Sequence, residues 1–216
     1  MRRLVIGDIH GCWRSLNALL DKAGLGDEDE IISIGDLVDR GTDSAAVLRF
    51  FRTTPRARAI MGNHERKHIR SGGGATPDDD GLIETRAQIG EADYPAALLW
   101  MAALPVYLDL PEALLVHGFF LPGVPLVKQP EQVLVGTQAG EMLVRERCAW
   151  PWYEHYDGEK PLIVGHRDYT GQQQVLNYRE RVYGLDSRCI YGGWLSGLLL
   201  PEFRLVQVRC ADDVGA

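Results

Sequence analysis

Cysteine is scarce in this chain, and its four copies, Cys12, Cys148, Cys189 and Cys210, never fall at C-x-x-C spacing. A small disulfide framework is thereby excluded, and the pattern reads as thiols kept reduced in a cytosol, with Cys12 in a buried packing role. No apolar run is long enough to span a bilayer. The opening Met1-Arg2-Arg3-Leu4-Val5-Ile6 is cut short by Asp8, too early for a signal peptide, so the expected location is cytoplasmic. Positive charge is also in deficit: 23 Lys and Arg stand against 30 Asp and Glu, a formal net charge of -7. That balance argues against an extended nucleic-acid partner, which a basic face would normally meet. Neither a solenoid repeat nor a low-complexity tail is present. With 216 residues the chain can build one sizeable core, so a single domain over 1–216 is expected, as a monomer.

What is present is a series of five short polar blocks, each placed where a hydrophobic run ends. They are Gly7-Asp8-Ile9-His10-Gly11, Gly35-Asp36-Leu37-Val38-Asp39-Arg40-Gly41, Gly62-Asn63-His64-Glu65, Val116-His117-Gly118 and Gly165-His166. The first three follow the apolar stretches Leu4 to Ile6, Ile31 to Ile34 and Ala57 to Met61. Between them Trp13, Leu16, Leu19 and Leu20 recur at helical spacing until Gly24, and Ala45 to Phe51 repeats the helical pattern. Strand, polar loop and helix in repeated order predict an α/β fold whose loops at strand carboxyl ends make a site. Ser71 to Gly81, with three consecutive glycines, is expected to be a surface loop, and Ile83 to Ile89 and Ala96 to Ala103 to be helical. Beyond Pro105 the strand pattern returns at 106–110, 113–116, 162–164, 175–177, 182–185, 194–200 and 203–208, the last two joined by a turn at Pro201-Glu202.

Two divalent ions about 3.5–4 Å apart need a bridging carboxylate and terminal ligands that leave room for substrate. Asp36 is the natural bridge, Asp8 and His10 alternate so that both can face one ion, and Asn63, His117 and His166 complete the second. Mixed oxygen and nitrogen donors suit manganese, iron or zinc better than calcium. Arg40 can fork two phosphate oxygens, as a planar guanidinium does better than lysine. His64, next to a ligand but not needed as one, is free to protonate a leaving oxygen, and Asp39 can fix its tautomer. The expected reaction is in-line attack on phosphorus by a metal-bridging hydroxide, without a phosphoenzyme.

Taken in order, these blocks resemble the calcineurin-like metallophosphoesterases of the phosphoprotein-phosphatase superfamily over nearly the whole chain. The family pattern GDxHG, GDxVDRG, GNHE, a later His-Gly and Gly-His is present with no block missing. The resemblance implies a four-layer sandwich of two mixed β-sheets flanked by helices. It implies metal ligation by Asp8, His10, Asp36, Asn63, His117 and His166, and an acid dyad of His64 and Asp39. Arg145 is similar to the second phosphate-clamping arginine of the small bacterial and phage protein phosphatases, with Arg147 an almost equal match. The segment Gly184-Leu185-Asp186-Ser187 departs from the family, where Thr and then Gly follow the Asp.

Within this family a Ser/Thr phosphoprotein phosphatase is the first expectation, and a symmetrical bis(5'-nucleosyl)-tetraphosphatase the alternative. Trp150, Trp152, Tyr153 and Tyr156 would be the base platform of the alternative; otherwise they pack the second half of the fold. His64-Glu65-Arg66-Lys67-His68 also fits H-E-x-x-H, a zinc-protease pattern. Three basic side chains and Gly72 argue against an amphipathic helix there, which leaves His68 as a surface or rim residue. A binding module that kept the fold and lost the chemistry would lack a ligand or the acid, and neither is missing.

Overall fold

The computed structural model describes residues 1–75 and 77–212. One five-stranded sheet is built around β1 (Arg3–Ile6), β2 (Glu30–Ser33) and β3 (Ala57–Ala59), which run parallel, with Leu4 opposite Ile31 and Ile31 opposite Ala57. The second sheet follows the same plan: β5 (Leu114–Val116), β6 (Leu162–Val164) and β8 (Val182–Gly184) are parallel, edged by antiparallel β4 (Tyr107–Asp109) and β7 (Leu176–Tyr178). Antiparallel β9 (Trp194–Leu200) and β10 (Arg204–Arg209) extend the first sheet beyond β1. Each sheet is therefore mixed, as expected.

Alternation along the strands decides the layers, because successive side chains leave opposite faces of a sheet. Leu4 and Ile6 join Leu195 and Leu199 in a core under helices α1 (Trp13–Ala23) and α2 (Ser44–Thr53), whereas Val5 and Leu198 face the other way. There they meet Leu115, Ile163 and Tyr183 of the second sheet, so a central core lies between the two sheets. The remaining positions, Leu114, Val116, Leu162, Val164 and Val182, pack outward against Phe119, Phe120, Trp152 and the helices α6 (Glu131–Leu134) and α7 (Gln138–Arg147). Helix, sheet, sheet, helix is the four-layer arrangement. Every fully buried leucine or isoleucine in it contributes roughly 1.5–3 kcal/mol over exposure.

Helices α3 (Asn63–Gly72), α4 (Asp80–Ile89) and α5 (Tyr94–Ala102) cover the chain between the sheets. α3 corrects the sequence reading, which left 63–72 outside helical structure. Its charged residues Arg66, Lys67 and Arg70 lie on the accessible side, while His64, Glu65 and His68 are buried. The buried face is polar rather than apolar, so a periodicity search for hydrophobic residues does not see it.

Candidate active site

All five polar blocks lie at carboxyl ends of parallel strands. Asp8 follows β1, Asp36 follows β2, Asn63 follows β3, His117 follows β5 and His166 follows β6. Because these strands run the same way, their exits gather on one edge of the sandwich. Backbone bonds tie the exits together: Ile9 and His10 donate to the Asp36 carbonyl at 3.1 and 2.9 Å, and Gly165 donates to the His117 carbonyl at 2.9 Å. The approach is so close that a Cβ on Gly62 would overlap the Asp36 carboxylate, and one on Gly165 the Asp8 carboxylate. Glycine before Asn63 and before His166 is thus a steric requirement.

Five side chains of the blocks, His10, Asp36, Asp39, Arg40 and His166, stand on residues with φ between 47° and 70°. Left-handed backbone at non-glycine residues costs on the order of 1–3 kcal/mol each and persists only where surroundings enforce it. The concentration of such residues at one edge marks a preorganised site.

The candidate ligands converge. Asp36 Oδ2 lies 3.6 Å from His10 Nε2 and 3.4 Å from His117 Nε2, so its carboxylate sits between two imidazoles from opposite sheets. Asp8 Oδ2 is 4.0 Å from His10 Nε2. On the other side Asn63 Oδ1 is 3.0 Å from His117 Nε2 and 2.9 Å from His166 Nδ1. His10 and His117 each direct Nδ1 at a main-chain carbonyl, of Val38 and Ile34, both at 2.9 Å. A ring whose Nδ1–H is so engaged turns Nε2 inward, the orientation a metal-ligating histidine needs once Nε2 is unprotonated. The two groups Asp8, His10, Asp36 and Asp36, Asn63, His117, His166 therefore fit a pair of divalent ions sharing Asp36.

Electrostatics point the same way. Burial, the neighbouring Asp186 and Asp36 raise Asp8 well above the usual carboxylate range. Burial works against ionised Asp36, but the charges of His117 and His64 hold it well below that range. Burial lowers His10 to about 3, helped by His64 and Arg40, and lowers His166 to about 3, helped by His117. His117 is also disfavoured by burial, yet Asp36 outweighs that and raises it to about 10. Buried carboxylates with one shared proton-bearing imidazole are a site short of positive charge, which cations would supply.

His64 Nδ1 lies 2.6 Å from Asp39 Oδ2, the expected dyad. Asp39 is held more firmly than the sequence suggested. His68 Nε2 and Thr85 Oγ1 contact its Oδ1 at 2.7 and 2.8 Å, and Lys67 Nζ lies 2.9 Å from Oδ2. Burial alone would raise Asp39, but the hydrogen bonds from His64 and His68 keep it far below the usual range. His68 is therefore no rim residue: it is fully buried between Asp39 and the Tyr94 hydroxyl, which is 2.7 Å from Nδ1. His64 and His68 are one helical turn apart on α3, so both reach the same carboxylate.

Glu65 has no solvent exposure and spends both oxygens on the main chain. It accepts from Gly62 and Asp36 N–H at 2.9 Å and from Leu37 N–H at 2.8 Å. It clasps the loop after β2 to the start of α3 and cannot act as a protease base, which removes the H-E-x-x-H reading.

Arg40 Nη1 and Nη2 donate to His10 Nε2 and His64 Nε2 at 2.8 and 3.0 Å. Its guanidinium thus spans the candidate ion site and the candidate acid. Arg145 is not brought to these residues in this structure. It pairs with Glu141 at 2.8 Å and stacks over Trp150 at 3.9 Å. The aromatic group divides as well: Trp152 is completely buried, while Trp150 is 39% exposed and edges towards Phe119, which packs on His166. Beside Asn63 and His166 opens a cleft of about 770 Å³ lined by Arg66, Lys67, Arg70 and Arg167, with Glu141 its one acidic side chain.

Sequence reasoning missed Asp186, Arg167 and the depth of His68. Asp186 follows β8, another parallel strand with a Gly-x-Asp exit, so the positional signal existed. Arg167 was signalled only by standing next to His166.

A model of the calcineurin-like phosphoesterase family matches residues 1–194. A symmetrical bis(5'-nucleosyl)-tetraphosphatase from Shewanella baltica (strain OS223) is 36% identical over 130 residues, 58% of this chain and 45% of that protein. The chain thus spans less than half the length of that relative. A protein of the same name from Janthinobacterium sp. (strain Marseille) is 26% identical over 97% of both chains. A crystal structure described provisionally as a diadenosine tetraphosphatase superposes with a TM-score of 0.79 and 26% identity, covering 96% of this chain and 93% of that one.

Proposed function

The chain belongs to the calcineurin-like phosphoesterases and is a phosphoester hydrolase, and we propose that its substrate is a dinucleoside tetraphosphate, cleaved symmetrically. The comparisons favour this reading over a Ser/Thr phosphoprotein phosphatase. The observation that carries it is the cleft lined by Arg66, Lys67, Arg70 and Arg167. A phosphomonoester needs one clamp at the reacting phosphate, whereas a polyphosphate carries several negative charges away from it, and a row of cations answers that chemistry. Arg66, Lys67 and Arg167 also pair with Glu131, with Asp39 and Asp79, and with Glu141, so a polyphosphate would share these cations with carboxylates already in place.

Asp8, His10, Asp36, Asn63, His117 and His166 would hold the metal pair. When bound, those ions supply Lewis acidity, lowering the pKa of water and neutralising charge on the reacting phosphate. Manganese, iron and zinc all suit the donors. The chain's own groups do the rest. Arg40 reaches non-bridging phosphate oxygens from the loop after β2 and adds positive charge where the transition state gathers negative charge. With Nδ1 committed to Asp39, His64 has only Nε2 left to serve a leaving oxygen, a position that the Arg40 guanidinium contacts in this structure. His68, Thr85 and Lys67 keep Asp39 from turning away. Trp150, partly exposed and 5.8 Å from the guanidinium of Arg167, a residue of the cleft, would offer a face to a nucleobase, with Arg145 as its nearer cationic neighbour.

The test is a product analysis with manganese present, comparing diadenosine tetraphosphate with a phosphopeptide. ADP as the sole nucleotide product, at a kcat/KM above that for the phosphopeptide, supports the proposal. AMP with ATP, or preference for the phosphopeptide, contradicts it.

A further inference from the structure

Three cysteines that the sequence scatters are brought together on the helix side of the first sheet. Cys12 precedes α1, Cys189 opens a short 3-10 turn over Cys189–Tyr191, and Cys210 directly follows β10. Their sulfurs lie within 4.8 Å of one another. Cys12 and Cys189 are buried and Cys210 is half-buried, so the cluster has one side open to entry. All three are free thiols.

We propose that Cys12, Cys189 and Cys210 form a second metal site, separate from the Asp- and His-rich centre, that takes a soft d10 cation such as zinc. Thiolate sulfur selects such ions over manganese or magnesium, which prefer oxygen. Zinc bonds sulfur at about 2.3 Å in a tetrahedron, which sets ligand sulfurs about 3.8 Å apart. Closing from a spread of at most 4.8 Å asks only small side-chain rotations. Hydrogen bonds from Cys12, Ser15 and Cys210 lower the Cys189 thiol against its burial, while Cys12 and Cys210 are raised, so one sulfur is ready to ionise and a bound cation would have to displace the protons of the other two.

Asp212 is nearby but does not complete the set. Its carboxylate accepts from Arg14 N–H and Ser15 N–H, both at 3.0 Å, and from the Ser15 hydroxyl at 2.5 Å, capping the first turn of α1. The fourth position of a tetrahedral ion thus falls to water or an added ligand. Because the three ligands come from separate segments, an ion there would pin the chain after β10 and the turn at Cys189 to the loop that carries Asp8 and His10. No sequence spacing could announce it.

Cobalt(II) tests the site, because thiolate ligation gives a near-ultraviolet charge-transfer band that the oxygen and nitrogen donors of the other centre cannot produce. Reduced, anaerobic full-length protein titrated with cobalt(II) should develop this band, and stoichiometric zinc should remove it. The band should be absent or strongly reduced in Cys189→Ser and in the half-buried Cys210→Ser, and unchanged in Cys148→Ser. Absence of the band in the unmutated protein overturns the proposal and leaves the cysteines as packing residues. So does a band that survives both Cys189→Ser and Cys210→Ser, or one that needs Cys148.

Discussion

At the residue scale, two imidazoles of similar surroundings have opposite duties, and their contacts separate them. His64 shares a 2.6 Å contact with Asp39 and turns its other nitrogen to Arg40 at 3.0 Å, the nitrogen that would serve a leaving oxygen. His64→Asn should bind metal normally and lose roughly 10²- to 10⁴-fold in turnover of an alkyl phosphate, with a much smaller loss on p-nitrophenyl phosphate. An equal loss on both would count against His64 as the proton donor. His117 is instead raised to about 10 in the metal-free protein by Asp36. Its ring therefore carries a proton at neutral pH, and ligation must expel it. Metal affinity should rise about tenfold per pH unit between pH 7 and 9 and flatten as pH passes about 10. The sign for folding is the reverse: a folded pKa above the unfolded one stabilises the metal-free protein below about pH 6.5, and that stability fades as pH rises through 10. Calorimetric titration of chelated protein in buffers of different ionisation enthalpy measures the released protons, and zero release at pH 8 would refute the assignment.

At the element scale, apolar strands and the glycine-bounded exits were legible from sequence because both are local patterns. β1, β2, β6 and β9 fall where alternation or short apolar runs place them. α3 was not legible, since its inward face is His64, Glu65 and His68 rather than leucines. α7 escaped as well, its buried residues being only Gly140 and Val144. The six candidate ligands and the acid dyad were readable because each block sits at a strand exit. The cleft and the cysteine cluster were not, since both join segments far apart in the chain. Arg145 is a candidate phosphate clamp by resemblance alone, and its observed partners are Glu141 and Trp150. Glu65 is the clasp between elements. Glu65→Gln turns one acceptor into a donor facing backbone N–H groups and should destabilise the metal-free protein by about 2 kcal/mol in urea unfolding. Unchanged stability would show that the clasp is redundant. Trp150→Ala should raise KM for diadenosine tetraphosphate by roughly 5- to 150-fold, a stacking loss of about 1–3 kcal/mol, and leave p-nitrophenyl phosphate unaffected. Equal effects on both substrates would remove the base-platform role.

At the scale of the whole molecule, two sheets meet so that a single carboxylate from one lies between histidines of both. Asp36 comes from the first sheet, His117 from the second, and the contact of 3.4 Å between them crosses the sandwich. An acidic molecule gathers cationic side chains at one edge, through Arg40 and the cleft, whose far wall is built by residues of α6 and α7. No described helix is long and apolar enough to cross a membrane. The most direct measurement is anomalous diffraction from crystals loaded with manganese. Two peaks about 3.5–4 Å apart, one against Asp8 and His10, the other against Asn63, His117 and His166, with Asp36 touching both, are the result expected. A single peak, or peaks remote from Asp36, would contradict the account at its centre.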